Sequence, residues 1–110
     1  MADFIRGFGI IADDITGAMD AGAGFLGVGL DPLITFGTKP SPDPRVIVVS
    51  TDSRDNDPET AHRKARRQAR KLAGRYVYKK IDSTLRGNIG SELTAVMGAL
   101  GFSKAVVCPA

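Results

Sequence analysis

The stretch Phe8-Gly9-Ile10-Ile11-Ala12, followed at once by Asp13 and Asp14, decides the fold of this chain. A short apolar run that stops abruptly at charged residues is typical of a buried strand whose end reaches a polar site. The next segment, residues 16–28, carries small and apolar residues at helical spacing, which predicts a helix despite its four glycines. A strand that leads directly into a helix is the first unit of an α/β domain.

The rest of the chain continues this alternation. Apolar runs predict further strands over residues 30–36, 46–49, 76–81 and 105–108. Asp57, Pro58 and Glu59 begin a helix that runs to about Gly74, and a third helix begins at Asn88 or Ser91 and ends near residue 100. The order βαββαβαβ predicts an α/β fold with an open, mostly parallel, Rossmann-like sheet between two helical layers.

The second and third strands are joined by a proline-rich stretch, residues 37–45, which predicts a loop. A parallel return would have to travel back ~17–20 Å and sideways by about 10 Å. Nine residues reach about 30 Å, so a loop crossover is feasible, while the strand order stays open. The sequence stops at Pro109-Ala110, directly after an apolar strand, which suggests a truncated piece of a longer protein, although a short edge strand could also end a domain.

Composition sets the class of protein but not its ligand. Fifteen Lys and Arg against twelve Asp and Glu give a formal charge of +3, which suits an anionic partner without choosing one. The single Cys108 excludes an internal disulfide, and the N-terminus does not resemble a signal peptide. No apolar run approaches the ~20 residues of a membrane helix, so the expectation is a cytoplasmic protein without a membrane partner.

Three polar clusters come directly after apolar strands. They are Asp13-Asp14 with Thr16, Thr51-Asp52-Ser53-Arg54, and Lys80-Ile81-Asp82-Ser83-Thr84-Leu85-Arg86. Ligands of open parallel sheets bind outside the carboxyl ends of the strands, so all three clusters are expected at one crevice. Arg54 and Arg86 could each grip a carboxylate or phosphate through two parallel hydrogen bonds, and a helix start after the third cluster would attract anions.

Each cluster also has a purely structural interpretation. Asp14 or Thr16 could simply cap the first helix, Lys80 and Asp82 could form an ordinary ion pair on one side of their strand, and Arg54 could be a surface charge in a turn. The basic residues 62–71 could bind nucleic acid, but a solvated outer helix face explains them more simply, so no nucleic-acid partner is expected.

Several common sites are excluded. The glycines of Gly7-Phe8-Gly9-Ile10-Ile11-Ala12 lie before or within a strand instead of after it, so they are not a dinucleotide-binding turn. The sequence has no P-loop motif and no cluster of Cys and His, so no metal site is predicted. One histidine, His62, cannot complete a Ser/His/Asp triad at this edge.

Two strings carry a family resemblance: Ala12-Asp13-Asp14-Ile15-Thr16-Gly17-Ala18 and Lys79-Lys80-Ile81-Asp82-Ser83-Thr84-Leu85-Arg86-Gly87-Asn88. With them the chain resembles the four-carbon acid sugar kinases over nearly its whole length. The resemblance implies an N-terminal sugar-acid-binding domain, present here in part over residues 1–110, and a C-terminal ATP-binding domain absent from this chain. In that family ATP phosphorylates the terminal hydroxyl of threonate, erythronate or 3-oxotetronate, so the fragment alone should be inactive.

The resulting hypothesis gives each site residue a role. The side chains that would hold the substrate carboxylate are Arg54, Lys80 and Arg86. Those that would bind its hydroxyls are Ser83 and Asn88. The proton acceptor would be Asp13, or failing it Asp14 or Asp82. Mg²⁺ would arrive with ATP on the other domain. A non-catalytic sugar-acid sensor is the alternative, and a homo-oligomer is left open.

Overall fold

The computed structural model describes residues 7–35 and 44–109, which form one parallel sheet with helices on both faces. Its strands are β1 (Phe8–Ala12), β2 (Pro32–Thr35), β3 (Val46–Ser50) and β4 (Tyr76–Lys80). They lie in the order β2-β3-β1-β4, and every neighbouring pair is parallel. The predicted α/β class is therefore confirmed, and the strand order that the sequence left open is now defined.

Three α-helices cover the sheet: α1 (Ile15–Ala23), α2 (Pro58–Ala69) and α3 (Ile89–Leu100). Successive side chains of a strand point to opposite faces, and the apolar residues divide accordingly. One buried cluster joins α1 to the sheet through Ile10, Ala12, Ala18, Val46 and Val48. The other joins α2 and α3 to it through Ile11, Ile47, Val49, Ala65, Ala69, Leu72, Ala95 and Val96. The predicted three-layer arrangement follows from this division.

Helix α2 begins as its sequence predicts. The Asp57 side chain accepts a hydrogen bond from the Thr60 backbone N–H at 3.0 Å, and Pro58 occupies the first helical position. Its alanines at every fourth position, Ala61, Ala65 and Ala69, form an apolar stripe that is fully buried, and a 3₁₀ turn, Arg70–Leu72, completes the predicted length. Helix capping and an apolar stripe were sufficient signals here.

Helix α1 is shorter than predicted. It ends at Ala23, and the remaining residues form a separate 3₁₀ turn, Leu26–Val28, closed by Gly29 at φ 79°. Glycine lowers helix propensity by about 1 kcal/mol relative to alanine. The glycines near the end of this segment thus shorten the helix that residues 16–28 were expected to form.

The fifth strand is the prediction that proved wrong. Residues 105–108 have no regular secondary structure, and Val106 is 97% exposed. A strand exists only through hydrogen bonds to a neighbour, and within residues 7–35 and 44–109 nothing pairs with the outer edge of β4. The apolar, β-branched composition predicted a strand, whereas the missing ladder partner left the segment irregular.

The crossover between β2 and β3 has the predicted direction. Pro32 lies opposite Val46 and Thr35 opposite Val49 in a parallel register, so the chain returns to the same end of the sheet. Most of the predicted loop lies outside the described residues. Among the described helices, none has the length and apolar character needed to cross a membrane.

Candidate functional site

The carboxyl ends of three strands lie side by side. Ala12 of β1 is in register with Ser50 of β3 on one side and with Lys80 of β4 on the other. The three polar clusters therefore emerge at the same level, as their positions after the strands predicted. A pocket of about 640 Å³ opens there, lined by Asp13, Asp14, Asp52, Arg54, Asp55, Asn56, Lys64, Arg86 and Gly87.

Arg54 is the centre of this edge. Its Nη2 lies 3.0 Å from Asp13 Oδ1, and its Nη1 lies 3.2 Å from Asp14 Oδ2 and 3.8 Å from Asp82 Oδ1. The hydrogen bond to Asp13, then the charges of Asp13, Asp14 and Asp82, raise the pKa of Arg54 against the opposing effect of burial. One guanidinium thus joins aspartates that follow two different strands, so the surface-charge interpretation of Arg54 is wrong.

Asp13 is held from both its side chain and its backbone. Arg54 Nε donates to Oδ2 at 3.3 Å, which completes a two-pronged contact with the guanidinium, and the Ser53 N–H donates to the Asp13 carbonyl at 2.9 Å. Gly87, with φ 96°, comes so close that a Cβ there would lie 2.4 Å from Asp13 Oδ2. Only glycine fits this position, because any side chain would displace the carboxylate.

Asp14 has two roles. Its Oδ1 accepts a hydrogen bond from the Gly17 N–H at 2.9 Å and so caps α1, which confirms the capping interpretation for Asp14 rather than for Thr16. Its Oδ2 faces Arg54 at the pocket. The Asp14 side chain is 29% exposed, compared with 5% for Asp13, so Asp14 is the more accessible of the two carboxylates.

Asp82 is clasped by the turn that follows it. Its carboxylate accepts from Arg86 Nε at 3.0 Å, from Arg86 Nη2 at 2.9 Å, from the Thr84 N–H at 3.0 Å and from the Thr84 hydroxyl. The Arg86 guanidinium first, and then the Thr84 hydroxyl, hold the pKa of Asp82 well below its usual range. Leu85 in the same turn has a positive φ of 61°, a strained conformation that persists only where surrounding contacts hold it.

Arg86 differs from Arg54 in its access to solvent. Its side chain is 66% exposed, and the bond to Asp82 raises its pKa. One edge of its guanidinium, with Nε and Nη2, is fixed on Asp82, and the rest is open to the pocket. A cation that is both anchored and accessible is suited to binding a small anion.

The other three sequence candidates, like Asp82, lie near the site but do not line the pocket. Lys80 Nζ donates to the Ile81 carbonyl at 2.8 Å, and the Asp82 carboxylate is bonded to Thr84 and the arginines, so the simple Lys80–Asp82 ion pair is not formed. Ser83 is exposed in the turn. The Asn88 amide donates to the Asn56 carbonyl at 2.8 Å and the Ser53 carbonyl at 3.3 Å, so it tethers the 53–56 turn.

Four polar pocket residues were missed as candidates from the sequence: Asp52, Asp55, Asn56 and Lys64. Lys64 belongs to the basic helix, yet its Nζ donates to the Asp52 carbonyl at 3.1 Å and so reaches the pocket from outside. Asp52 itself has a positive φ of 48°. The only available signal was proximity to the quoted Thr51-Asp52-Ser53-Arg54 cluster, because a contact between an outer helix and a turn depends on packing.

The chemistry of the pocket is mixed. Four aspartates and three basic side chains line it, so it offers acceptors for hydroxyl groups as well as cations for a carboxylate or phosphate. Over residues 7–35 and 44–109, no group of three or more His, Cys, Asp or Glu side chains is arranged to hold a metal ion. The arrangement is suited to a small polyhydroxy anion.

Comparison with known proteins agrees with this chemistry. Residues 8–110 match the family model of the sugar-binding N-terminal domain. The chain belongs to this family. Its relatives are named as kinases of four-carbon sugar acids, which confirms the resemblance to the four-carbon acid sugar kinases. The chain is 36% identical over 107 residues to a D-threonate kinase of Salmonella typhimurium and 42% identical over 115 residues to a D-erythronate kinase of Heliobacterium modesticaldum.

A third relative is a 3-oxo-tetronate kinase of Pectobacterium atrosepticum, 32% identical over 112 residues. These alignments cover 92%, 92% and 93% of this chain and 25%, 25% and 26% of the relatives, respectively. The sugar-binding domain described here therefore spans about a quarter of the length of the curated relatives that it matches.

Two crystal structures of a DUF1537 domain protein from Bordetella bronchiseptica share the fold. They match with TM-scores of 0.76 and 0.77 at 31% and 33% identity, over 84% of this chain and 25% and 26% of theirs. Both are domain-swapped dimers with bound citrate. A small polycarboxylate is thus a ligand of that relative.

Proposed function

We propose that this sugar-binding domain is the substrate-binding part of an ATP-dependent kinase that phosphorylates the terminal hydroxyl of a four-carbon sugar acid, namely threonate, erythronate or 3-oxotetronate. The observation that carries the proposal is the pocket in which Asp13, Asp14, Arg54 and Arg86 meet at one sheet edge. Relatives named as kinases of these acids support it. Use of ATP would place the reaction in the cytoplasm.

The proposal divides the two arginines by their access. Arg54 is already paired with carboxylates at 3.0 Å and 3.2 Å, so its main role would be to fix the positions of Asp13 and Asp14. Arg86 is the exposed cation and would bind the substrate carboxylate, with Lys80 near the same strand end as a further positive charge. Ser83 would meet the substrate hydroxyls from its exposed place in the turn, and Asn88 would contribute by holding the neighbouring turn.

The proton acceptor is chosen among three aspartates. Asp82 is a poor base, because its pKa is held far below the usual range by Arg86 and Thr84. Asp13 is almost fully buried with both oxygens on Arg54. Asp14 keeps more of its carboxylate accessible, so we assign it to orient the attacking hydroxyl and accept its proton, with Asp13 as the anchor of Arg54.

In the proposal, ATP and Mg²⁺ bind outside this sheet edge. The Asp13 and Asp82 carboxylates are bonded to arginines, and the described residues hold no set of three metal-ligating side chains. Residues at this edge therefore do not fit a Mg²⁺ site. In the proposal both are bound by the part of the kinase outside this chain, and the sugar-binding domain contributes positioning and charge, which phosphoryl transfer chiefly needs.

The test is Asp14→Asn in the full-length protein. Asparagine caps helices as well as aspartate does, so α1 should stay intact while the proton acceptor is lost. We expect kcat for D-erythronate or D-threonate to fall by about a hundredfold or more, with KM changed much less. Asp20→Asn on the exposed face of α1 is the matched control.

Asp13→Asn separates the two assignments. It should weaken the hold on Arg54 and affect KM as well as kcat. Asp13 would be the proton acceptor instead if Asp14→Asn left kcat unchanged and Asp13→Asn lowered kcat without changing KM. Unchanged kcat in both variants would contradict the mechanism.

A further inference from the structure

A buried polar chain lies beneath the pocket, on the face of the sheet covered by α2 and α3. Glu92 of α3 is fully buried, and so is Ser53, whose hydroxyl lies 2.9 Å from Glu92 Oε2. Lys79 of β4, with a side chain only 7% exposed, places its Nζ 3.3 Å from Glu92 Oε1. This contact is an ion pair and not an aligned hydrogen bond, since Oε1 has no hydrogen-bonding partner.

The proton of the Ser53 hydroxyl has a defined direction. The Thr51 and Ser53 hydroxyl oxygens lie 2.5 Å apart, and each hydroxyl has one proton to donate. A carboxylate can only accept, so Ser53 donates to Glu92. The single Thr51 proton has two acceptors within reach, the Ser53 oxygen and the Ala12 carbonyl at 3.2 Å. The Glu92 carboxylate therefore orients the Ser53 hydroxyl in the turn that carries Arg54.

The cost of burial indicates a role other than stability. Removing a charge pair from water is expensive, and an apolar pair of similar volume is often as stable or more so. Lys79 also donates to the Lys80 carbonyl at 2.9 Å, at the point where β4 ends. The pair thus joins α3 to the end of β4, and the Ser53 hydroxyl joins Glu92 to the turn that follows β3.

We propose that Glu92, held by Lys79, is a positioning residue that fixes Ser53 and thereby the turn of residues 51–54. The backbone N–H groups of Ser53 and Arg54 donate to the Asp13 carbonyl at 2.9 Å and 3.3 Å. A shift of Ser53 would therefore move Arg54 relative to the Asp13 carboxylate. This inference rests on the proposed function for its kinetic consequence but not for its structural one.

The experiment compares two variants of the full-length protein with a control. Ser53→Ala removes the hydroxyl that Glu92 holds. The double variant Lys79→Met with Glu92→Leu replaces the ion pair by an apolar pair, so no charge is left buried alone. Ser91→Ala is the control. Ser91 lies in α3 next to Glu92, and the substitution removes an exposed hydrogen bond from its hydroxyl to the Pro58 carbonyl.

Three quantities are measured: the melting temperature, kcat and KM for the sugar acid, and the NMR resonance of the Arg54 Nε–H group, which reports its bond to Asp13. We expect kcat to fall by about ten- to a hundredfold in both variants and the Arg54 resonance to shift, with the double variant melting near the wild type. The control should change none of these.

If Glu92 and Ser53 only stabilised the fold, the variants would change the melting temperature but not kcat or the Arg54 resonance. Variants whose kcat and Arg54 resonance match the wild type, whatever their melting temperature, would overturn the inference. Should the double variant not fold, Ser53→Ala decides by the same two readouts. A wild-type protein without kinase activity would refute the proposed function, while the Arg54 resonance would still decide whether Glu92 and Ser53 position this side chain.

Discussion

Arg54 shows how one side chain sets the electrostatics of the pocket. Its guanidinium faces three carboxylates, and each of the three aspartates is also fixed by a second contact. The turn N–H groups hold the Asp13 backbone carbonyl, the α1 cap holds the Asp14 carboxylate and Arg86 holds the Asp82 carboxylate. Contacts with opposite charges raise the pKa values of Arg54 and Arg86 and lower the pKa of Asp82. The pocket therefore presents charged groups in fixed positions, which is what orienting a small polyhydroxy anion requires.

The pKa of Asp82 gives a pH dependence of stability. Because Arg86 and Thr84 lower it in the folded protein, the unfolded state takes up a proton first as the pH falls through about 4, and stability decreases below that pH. Asp82→Asn removes this contribution. Wild type should be the more stable of the two at pH 7, and the difference should shrink towards pH 3, as measured by urea unfolding. A difference independent of pH would contradict the assignment.

Helix packing on the two faces of the sheet depends on where glycine is required. Gly22 of α1 is buried, and a Cβ there would lie 3.1 Å from Val48 Cγ2, so α1 approaches β3 closely only because the side chain is missing. Gly98 of α3 is exposed, with nothing within 4 Å of the corresponding position. The same residue type thus serves packing in one helix and only costs helix propensity in the other.

Alanine substitution should separate these cases. Gly98→Ala is expected to raise the free energy of unfolding by about 0.5–1 kcal/mol, because alanine is the better helix former. Gly22→Ala gains the same propensity but must push α1 away from Val48, so it should stabilise less or destabilise. Chemical denaturation of both variants measures the difference. Equal stabilisation by both would show that the close approach of α1 has no energetic weight.

Sequence patterns predicted the elements better than the contacts between them. Strand β1 has the predicted bounds, and α2 begins at its predicted cap, because these signals are local. The fifth strand failed, since its formation depends on a neighbour that no local pattern specifies. Glu92 was missed for a similar reason: an acidic residue in a helix indicates an exposed position until packing brings Lys79 and Ser53 to it.

Charge is unevenly distributed over the whole molecule. Residues 58–72 hold six of the fifteen basic and one of the twelve acidic residues, so the rest of the chain carries a net charge of −2 against +3 for the whole. The net positive charge of the molecule is therefore not enough to explain binding of an anionic acid at the pocket. It requires local cations, of which Arg86 is the most exposed at the pocket.

The central claim, that the sugar-binding domain binds a four-carbon acid at this sheet edge, is tested most directly by calorimetric titration of the full-length protein. D-Threonate, D-erythronate and 3-oxotetronate would each be added without ATP to wild type, to Arg86→Gln and to the control Arg67→Gln on the exposed face of α2. We expect wild type and the control to bind at least one acid with similar affinity and Arg86→Gln to bind it at least about tenfold more weakly. Absence of binding to any of the acids in wild type, or equal affinity in all three proteins, would contradict the account.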